Sequence, residues 1–324
     1  MVTIRLMRAA SVFVITLSFA LSARAQSFPE RPVQIICPYA AGGGLDIVTR
    51  AVAQKLTDKW GKQVIVENRP GAGSTVGTAA AAKAPKDGYT LLVASTPLGV
   101  APAVYASLPY DARRDFVPLS LIATSPEVLV VNPALGVSTM AEFVKKAKAE
   151  PGKLNYGSAG SGTLSHLAAD TINRKLGLES THVPYKGVTP AVTDLLAGVT
   201  QWQVDTPSAF LPNVRAGKLR ALAMASAARS PQMPEVPTLK ELGYPDLEFR
   251  IFHGLLALAG TPEAELRALE NVIVEVVRDP ALRAMLAQQG WDPAPAGARE
   301  FGAFLDRELP KLQAAAKAAG VKAD

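Results

Sequence analysis

The stretch "PVQIICPYAAGGGLDIVTR", Pro32 to Arg50, contains an apolar run, three consecutive glycines and the start of a periodic segment. The apolar run predicts a strand. The segment after it predicts an amphipathic helix, with Gly61 as its stop and apolar residues at every fourth position: Val48, Val52, Leu56 and Trp60. Free backbone N–H groups and the helix dipole converge at such a glycine turn. The stretch therefore predicts a βα unit whose turn can hold an anion.

The same order of segments continues along most of the chain. Strand-like runs such as "QVIVENR", "YTLLVAS", "KLNYGSAG" and "THVPYKG" alternate with helical patterns, and Thr139 and Glu142 form a capping box on one of these helices. A strand in "EFRIFHGLLAL" precedes three predicted helices. This alternation predicts an α/β protein with largely parallel sheets.

The first 25 residues have the pattern of a secretory signal peptide. A basic start is followed by the apolar run "AASVFVITLSFALS" and by the cleavage signal Ala23-Arg24-Ala25. We expect cleavage after Ala25 and export to the bacterial periplasm. Cys37 is the only cysteine and no L-x-x-C lipobox precedes it, so neither an internal disulfide nor a lipid anchor is expected.

The charge pattern argues against a nucleic-acid partner. The net charge of +6 includes three arginines of the leader, which leaves 31 basic and 28 acidic residues in the mature chain. This excess is small and dispersed, and no basic run is interleaved with aromatic residues. A small anionic partner is compatible with it.

Nucleotide and metal chemistry have little support. Gly71, Gly73 and Gly77 loosely follow a dinucleotide turn, but Glu67 to Pro70 separate them from the preceding strand, and no phosphate-loop lysine motif occurs. The three histidines are scattered along the sequence and no zinc-binding spacing is present. We therefore expect neither a metal nor a cofactor.

A serine hydrolase is a second possibility. The segment "YGSAGSGTLSH" contains Ser158, Ser161 and His166, but neither serine has the G-x-S-x-G frame of a nucleophile elbow. A ligand-binding role explains these small residues better, because the N–H and hydroxyl groups of Gly157 to Thr163 are donors that suit a carboxylate. Together with Gly42 to Gly44, the chain then has two anion-binding turns.

Several segments, in order, resemble those of the Bug family, the periplasmic substrate-binding proteins of tripartite tricarboxylate transporters. They include "PYAAGGGLDIVTR", "VIVENRPGAGSTVG", "YGSAGSGTLSHLAAD", "THVPYKG", "GKLRALAMAS" and "HGLLALAGTPEAEL". The resemblance implies a two-lobed Venus-flytrap of the type II periplasmic binding-protein fold. Lobe one would combine residues 26–128 and 253–324, and lobe two would be 129–252, with crossings near 128–131 and 251–254.

The resemblance also implies a binding site and carries it over position by position. From lobe one it takes Tyr39, Ala40, Ala41, Gly42, Gly43, Gly44, Asp46, Ser95 and Thr96. From lobe two it takes Ser158, Ala159, Gly160, Ser161, Gly162 and Thr163, with His166 and Tyr185 in support and Asp205 as a position that tunes the ligand. The chain departs from the family at Ser74, where glycine is usual, and at Gln201 and Trp202.

The implied function is a monomeric, non-enzymatic receptor. It would capture a small carboxylate between its lobes and deliver it to an integral membrane permease. An exported esterase and a ligand sensor for a signalling kinase remain as alternatives. If Asp205 faces the cleft, it could pair with an ammonium and favour a zwitterion; otherwise a plain di- or tricarboxylate is expected.

Overall fold

The computed structural model describes residues 28–321, and the predicted signal peptide lies outside this range. No helix within it has both the length and the hydropathy of a membrane span. The strands are β1 Val33–Cys37, β2 Val64–Asn68, β3 Thr90–Ala94, β4 Phe116–Val131, β5 Asn155–Ser158, β6 Thr181–Pro184, β7 Trp202–Asp205, β8 Arg220–Ala225, β9 Arg250–Leu258 and β10 Asp292–Gly297. The α-helices are α1 Gly44–Trp60, α2 Thr75–Ala82, α3 Pro97–Val104, α4 Met140–Ala149, α5 Leu164–Leu176, α6 Val188–Ala197, α7 Pro207–Arg215, α8 Glu263–Arg278, α9 Pro280–Gln288 and α10 Ala298–Ala318.

The predicted local elements are confirmed. The helix α1 ends at Gly61, which adopts a left-handed conformation (φ 62°) that glycine tolerates without strain. The side chain of Thr139 accepts a hydrogen bond from the backbone N–H of Glu142, as a capping residue does. The three helices predicted after the last long strand are α8, α9 and α10.

The prediction of largely parallel sheets is wrong for the centre of the sheet. The strands follow the order β2-β1-β3-β9-β4-β7-β5-β6, with β8 and β10 also paired to β4. Strand β1 pairs in parallel with β2 and β3, and β5 pairs in parallel with β6 and β7. All pairings of β4 and β9 are antiparallel. Strand β10 was not predicted, because the prolines of "DPAPAG" remove backbone donors and suit only an edge.

Strand β4 is shared by both halves of the sheet. Up to Pro126 it pairs with β9 and β10, and from Glu127 onward it pairs with β7 and β8. The sixteen residues of the strand are almost all buried. The chain thus passes from one lobe to the other without leaving the sheet.

The sheet packs against helices in both lobes, and one apolar cluster extends from lobe one into lobe two. In lobe one, β1 and β3 pack against α1 and α8. In lobe two, the fully buried Trp202 packs against Phe143 and Tyr156, and its Nε1 donates a hydrogen bond to Ser180 at 3.1 Å. The bulky departure at Trp202 is therefore a core residue. Asp205 lies three residues along the same strand, on its opposite face.

Strand β9 contacts α10 at Gly254, which gives a test of the packing. A side-chain carbon at Gly254 would overlap the ring of Phe301. We expect Gly254→Ala to destabilise the protein by about 1–3 kcal/mol, measured by urea unfolding. Gly44→Ala is the control, because its added carbon would meet only Trp291 at 3.8 Å.

The same pair provides an internal check. A double variant with Phe301→Leu should lose less stability than the sum of the two single changes, because the smaller side chain relieves the overlap. Unchanged stability of Gly254→Ala would contradict the close packing of β9 on α10.

Candidate functional site

A cleft of about 830 Å³ lies between the two lobes. Lobe one contributes the first glycine loop, Ser125 and residues 289–291, lobe two contributes α6 and the start of α7, and Ile251 lies where β9 crosses between them. Its lining residues are Tyr39, Ala40, Gly43, Gly44, Leu45, Ile47, Ser125, Val188, Thr189, Val192, Thr193, Leu196, Asp205, Thr206, Ser208, Ala209, Asn213, Ile251, Gln289, Gly290 and Trp291. None of them is a lysine, an arginine or a histidine.

The first glycine loop exposes the start of α1 to this cleft. Gly43 is the N-cap residue, and no side chain caps the helix. The first backbone N–H groups of a helix have no intrahelical partner, and the dipole places partial positive charge there. Gly42 has a positive φ of 79°, which glycine adopts readily. The loop therefore presents free donors to the cleft without any cationic side chain.

Asp46 holds this loop from behind. It is 2 % exposed and does not line the cleft. It accepts hydrogen bonds from the Gly42 N–H (2.8 Å), from Arg50 Nε (3.0 Å) and from Asn68 Nδ2 (2.8 Å). Burial opposes its ionisation, but these hydrogen bonds outweigh burial and lower its pKa. The structure thus gives Asp46 a positioning role toward the loop.

Two buried hydroxyl groups lie between β3 and α3. Ser95 Oγ and Thr96 Oγ1 have no hydrogen-bond partner within residues 28–321. Ser95 is near the Tyr39 hydroxyl, without the geometry of a hydrogen bond, and burial raises the pKa of Tyr39 so that it stays protonated. Unpartnered buried hydroxyls are costly, so this pair is a place for a ligand oxygen or a water.

The second glycine loop, residues 158–163, is braced by two histidines. Ser158 Oγ lies 2.7 Å from His182 Nε2, and the Gly162 N–H donates to His166 Nδ1 at 3.1 Å. The two imidazoles stack with their centroids 3.9 Å apart. Burial lowers the pKa of both, and that of His182 falls to about 4, so both rings are neutral near pH 7.

Two of the three histidines, which are scattered along the sequence, thus meet in the fold. The linear spacing of the two residues carries no sign of the contact, because β6 brings His182 beside the loop through its pairing with β5. Across residues 28–321, no group of three metal-ligating side chains comes together.

Tyr185 also supports the second loop. Its backbone N–H donates to the Ser158 carbonyl at 3.1 Å, and its hydroxyl donates to Asp194 at 2.7 Å. Burial, followed by this contact, raises the pKa of Tyr185 to about 12. Tyr185 does not line the interlobe cleft.

The two glycine loops open on different cavities. Ser161, Gly162 and Thr163 line a second cavity of about 580 Å³, together with residues of α3 and the turn around Gly73. The structure does not bring them around the same space as Tyr39 to Gly44. That both loops hold one ligand stays a prediction.

Asp205 lies between the interlobe cleft and the second glycine loop. It lines the interlobe cleft, and it lies beside the hydroxyl of Ser165. Ser165 Oγ in turn accepts a hydrogen bond from the Ala159 N–H at 2.9 Å and lies 3.0 Å from Thr163 Oγ1. Asp205 therefore faces the cleft from the wall that carries the second loop.

Several cleft residues were not predicted from the sequence. Helix α6 lines the cleft along one side, and Trp291 follows α9. The spacing of Val188, Val192 and Leu196 does signal one helical face, but not what that face contacts. Ser125 and Glu127 interrupt an otherwise apolar strand, and such buried polar residues are the detectable signal.

Comparison with known proteins shows the family to which the chain belongs. Residues 48–321 match the family described as "Tripartite tricarboxylate transporter family receptor". Protein BugT of Bordetella pertussis is 35% identical over 320 residues, which cover 98% of this chain and 98% of BugT. The structure of periplasmic binding protein BugD is 31% identical with a TM-score of 0.76, over 91% of this chain and 100% of BugD.

Two similar structures contain carboxylates. Rpa4515 of R. palustris with adipate is 29% identical with a TM-score of 0.79, over 91% of this chain and 99% of Rpa4515. MatC (Rpa3494) from Rhodopseudomonas palustris with bound malate is 29% identical with a TM-score of 0.74, over 89% of this chain and 100% of MatC. The two-lobed type II periplasmic binding-protein fold predicted from the sequence is confirmed. The chain belongs to the receptor family of tripartite tricarboxylate transporters, the Bug family of periplasmic substrate-binding proteins, which are not enzymes.

Proposed function

We propose that this receptor captures a carboxylate-containing solute in the interlobe cleft and delivers it to the membrane permease of a tripartite transporter. The observation that carries the proposal is the uncapped start of α1, which opens on the cleft. The unpartnered hydroxyls of Ser95 and Thr96 do not line the cleft, but Ser95 neighbours Tyr39, which does. The similar structures with adipate and malate support the ligand class.

The proposed recognition uses neutral donors. A carboxylate at the loop would accept hydrogen bonds from the first N–H groups of α1 and from the two hydroxyls. Hydrogen bonds to a charged group contribute about 1.5–3 kcal/mol each, and the helix dipole adds about 0.3–1 kcal/mol. Since Asp46 already fixes the Gly42 N–H, the loop is pre-organised and little ordering entropy is lost on binding.

Lobe closure completes the proposal. The chain would form two rigid lobes, one of residues 26–128 and 253–324 and the other of residues 129–252. The lobes would move relative to each other about the points where β4 and β9 pass between them. Closure would bring Ser158 to Thr163 toward the ligand, and the permease would recognise the closed, monomeric form. Export to the periplasm with removal of residues 1–25 is part of the same proposal.

The esterase alternative has no support in the geometry. Ser158 contacts His182, as a nucleophile contacts a base, but Ser158 is fully buried and cannot meet a substrate. Ser161 has no histidine partner among its hydrogen bonds within residues 28–321. The two glycine loops are better explained as binding elements.

A thermal-shift screen tests the proposed function. Mature protein is mixed with mono-, di- and tricarboxylates, amino acids and aromatic acids. A ligand at a hundredfold excess over Kd stabilises the protein by about 2.7 kcal/mol, which raises the Tm by about 4 °C for a chain of this size. No shift with any carboxylate would refute the proposed function.

The hydroxyl pair offers a sharper test. Thr96→Val and Ser95→Ala should each weaken carboxylate binding about tenfold in calorimetry, because one donor to the carboxylate is lost. Thr261→Val is the matched control, since Thr261 also has a buried unpartnered hydroxyl but lies between β9 and α8, whereas Ser95 neighbours the cleft residue Tyr39. Equal affinities in all three variants and the wild type would exclude the pair from the binding site.

A further inference from the structure

We propose that Glu127 and Asp205 form a recess for a cationic group, so that the captured ligand carries an ammonium as well as a carboxylate. This inference rests on the proposed function and narrows its ligand class to zwitterions. It assigns a binding role to Glu127, which lies at the point where β4 changes lobes.

Glu127 is a buried acid without a partner. It is 2 % exposed, and its Oε2 atom makes no hydrogen bond within the described part of the chain. Its backbone N–H donates to the Phe249 carbonyl at 3.1 Å, which fixes its place at the crossing. It follows Ser125, which lines the cleft, by two residues on β4, and its own side chain lies behind the cleft surface.

Asp205 is the acidic neighbour of Glu127. It pairs in register with Val128, the next residue of β4. Burial raises the pKa of Glu127, and the nearby Asp205 carboxyl raises it further. Asp205 Oδ1 accepts a hydrogen bond from the Thr206 N–H at 2.8 Å, and Asp205 also lines the cleft. The two acids thus share one polar recess that opens through Asp205.

No basic side chain neutralises this recess. Neither acid forms a salt bridge within residues 28–321, and the cleft lining contains no lysine, arginine or histidine. Arg250, which is opposite Pro126 in the sheet, is paired with Glu248. A buried carboxyl beside a half-buried one is costly without a cation, so a cation supplied by the ligand is favoured and a further ligand carboxylate there is repelled.

The donors for a carboxylate and the acid for an ammonium lie on opposite walls of the cleft. Free N–H groups at Gly43 and Gly44 are on the lobe-one wall, and Asp205 is on the lobe-two wall. Val192, Ile251 and Trp291 lie along the cleft as well. A zwitterion can therefore place its carboxylate on the helix start and its ammonium on the acidic recess, with its carbon chain against the apolar wall.

The experiment compares ligand pairs that differ by one amino group. L-glutamate and glutarate, 2-aminoadipate and adipate, and L-phenylalanine and 3-phenylpropanoate are titrated calorimetrically into the wild-type protein. We expect the aminated member of any binding pair to be tighter by about 10- to 100-fold, as charge-assisted hydrogen bonds require. Glu127→Gln and Asp205→Asn should each remove most of this preference, because the affinity for the aminated member falls relative to that for the deaminated one. Glu248→Gln is the control, since this acid is paired outside the cleft.

The outcomes separate the two claims. Binding of deaminated carboxylates as tight as that of their aminated partners would overturn the acidic recess but leave the carboxylate receptor intact. Equal weakening of both members by Asp205→Asn would also overturn it. An absence of binding by every ligand of both classes would overturn the proposed function itself. Thermal unfolding of each ligand-free variant separates loss of binding from loss of folding.

The pH dependence gives a second readout. Burial raises the pKa of Asp205 to about 6, and the neutral neighbours Thr206 and Ser165 offset part of this rise. Asp205 is the charged side chain that shifts the pKa of Glu127, while His166 is kept neutral by burial and Tyr39 stays protonated. Protons compete with the ammonium for the recess, so affinity for the aminated ligand should rise between about pH 5 and about pH 7.5. A fall over this range would mean that a protonated recess donates to the ligand, which contradicts the proposal.

Discussion

The hydrogen bonding of β4 in both lobes is the constraint on which the site depends. Because one strand belongs to both halves of the sheet, its turning point at Pro126 and Glu127 fixes the base of the cleft between them. Ser125 on one side of this point contacts the cleft, and Glu127 on the other side is buried next to Asp205. Backbone pairing of β4 therefore fixes where Ser125 and Glu127 lie relative to the cleft.

Both glycine loops present neutral backbone donors and are held in place by neighbouring side chains. Asp46 holds the first loop, and the stacked His166 and His182 hold the second. These supports lie outside the cleft, so they fix loop geometry without contributing charge to the ligand. Among the residues that line the cleft, Asp205 is the acidic one.

The sequence predicted the local elements well and their pairing less well. Strands β1 and β3, the helix α1 and the cap at Thr139 follow from periodicity and turn residues, which are local signals. The antiparallel centre could not be predicted in this way, because the direction of β9 relative to β4 depends on contacts between residues more than a hundred positions apart. The contact of His166 with His182 depends on the pairing of β6 with β5, which the spacing of the two residues does not indicate.

The candidate site was predicted in part. Glycine turns at helix starts identified the first loop and the second, and Asp205 does face the cleft, which the sequence left open. Glu127 was overlooked because a single acid in an apolar strand gives no indication of its neighbour. The role proposed for Glu127 depends on the strand register, which pairs Asp205 with Val128, the next residue of β4.

Glycine-selective ¹⁵N NMR tests the central claim, that a carboxylate is held at the start of α1. The Gly43 and Gly44 signals are assigned by substituting each residue with alanine, and Gly42, whose N–H is already bonded to Asp46, is the internal reference. On addition of a carboxylate found to bind, we expect both amide protons to move downfield, since hydrogen bonds to a carboxylate are strong, while Gly42 changes little. Binding that leaves Gly43 and Gly44 unchanged would contradict the account.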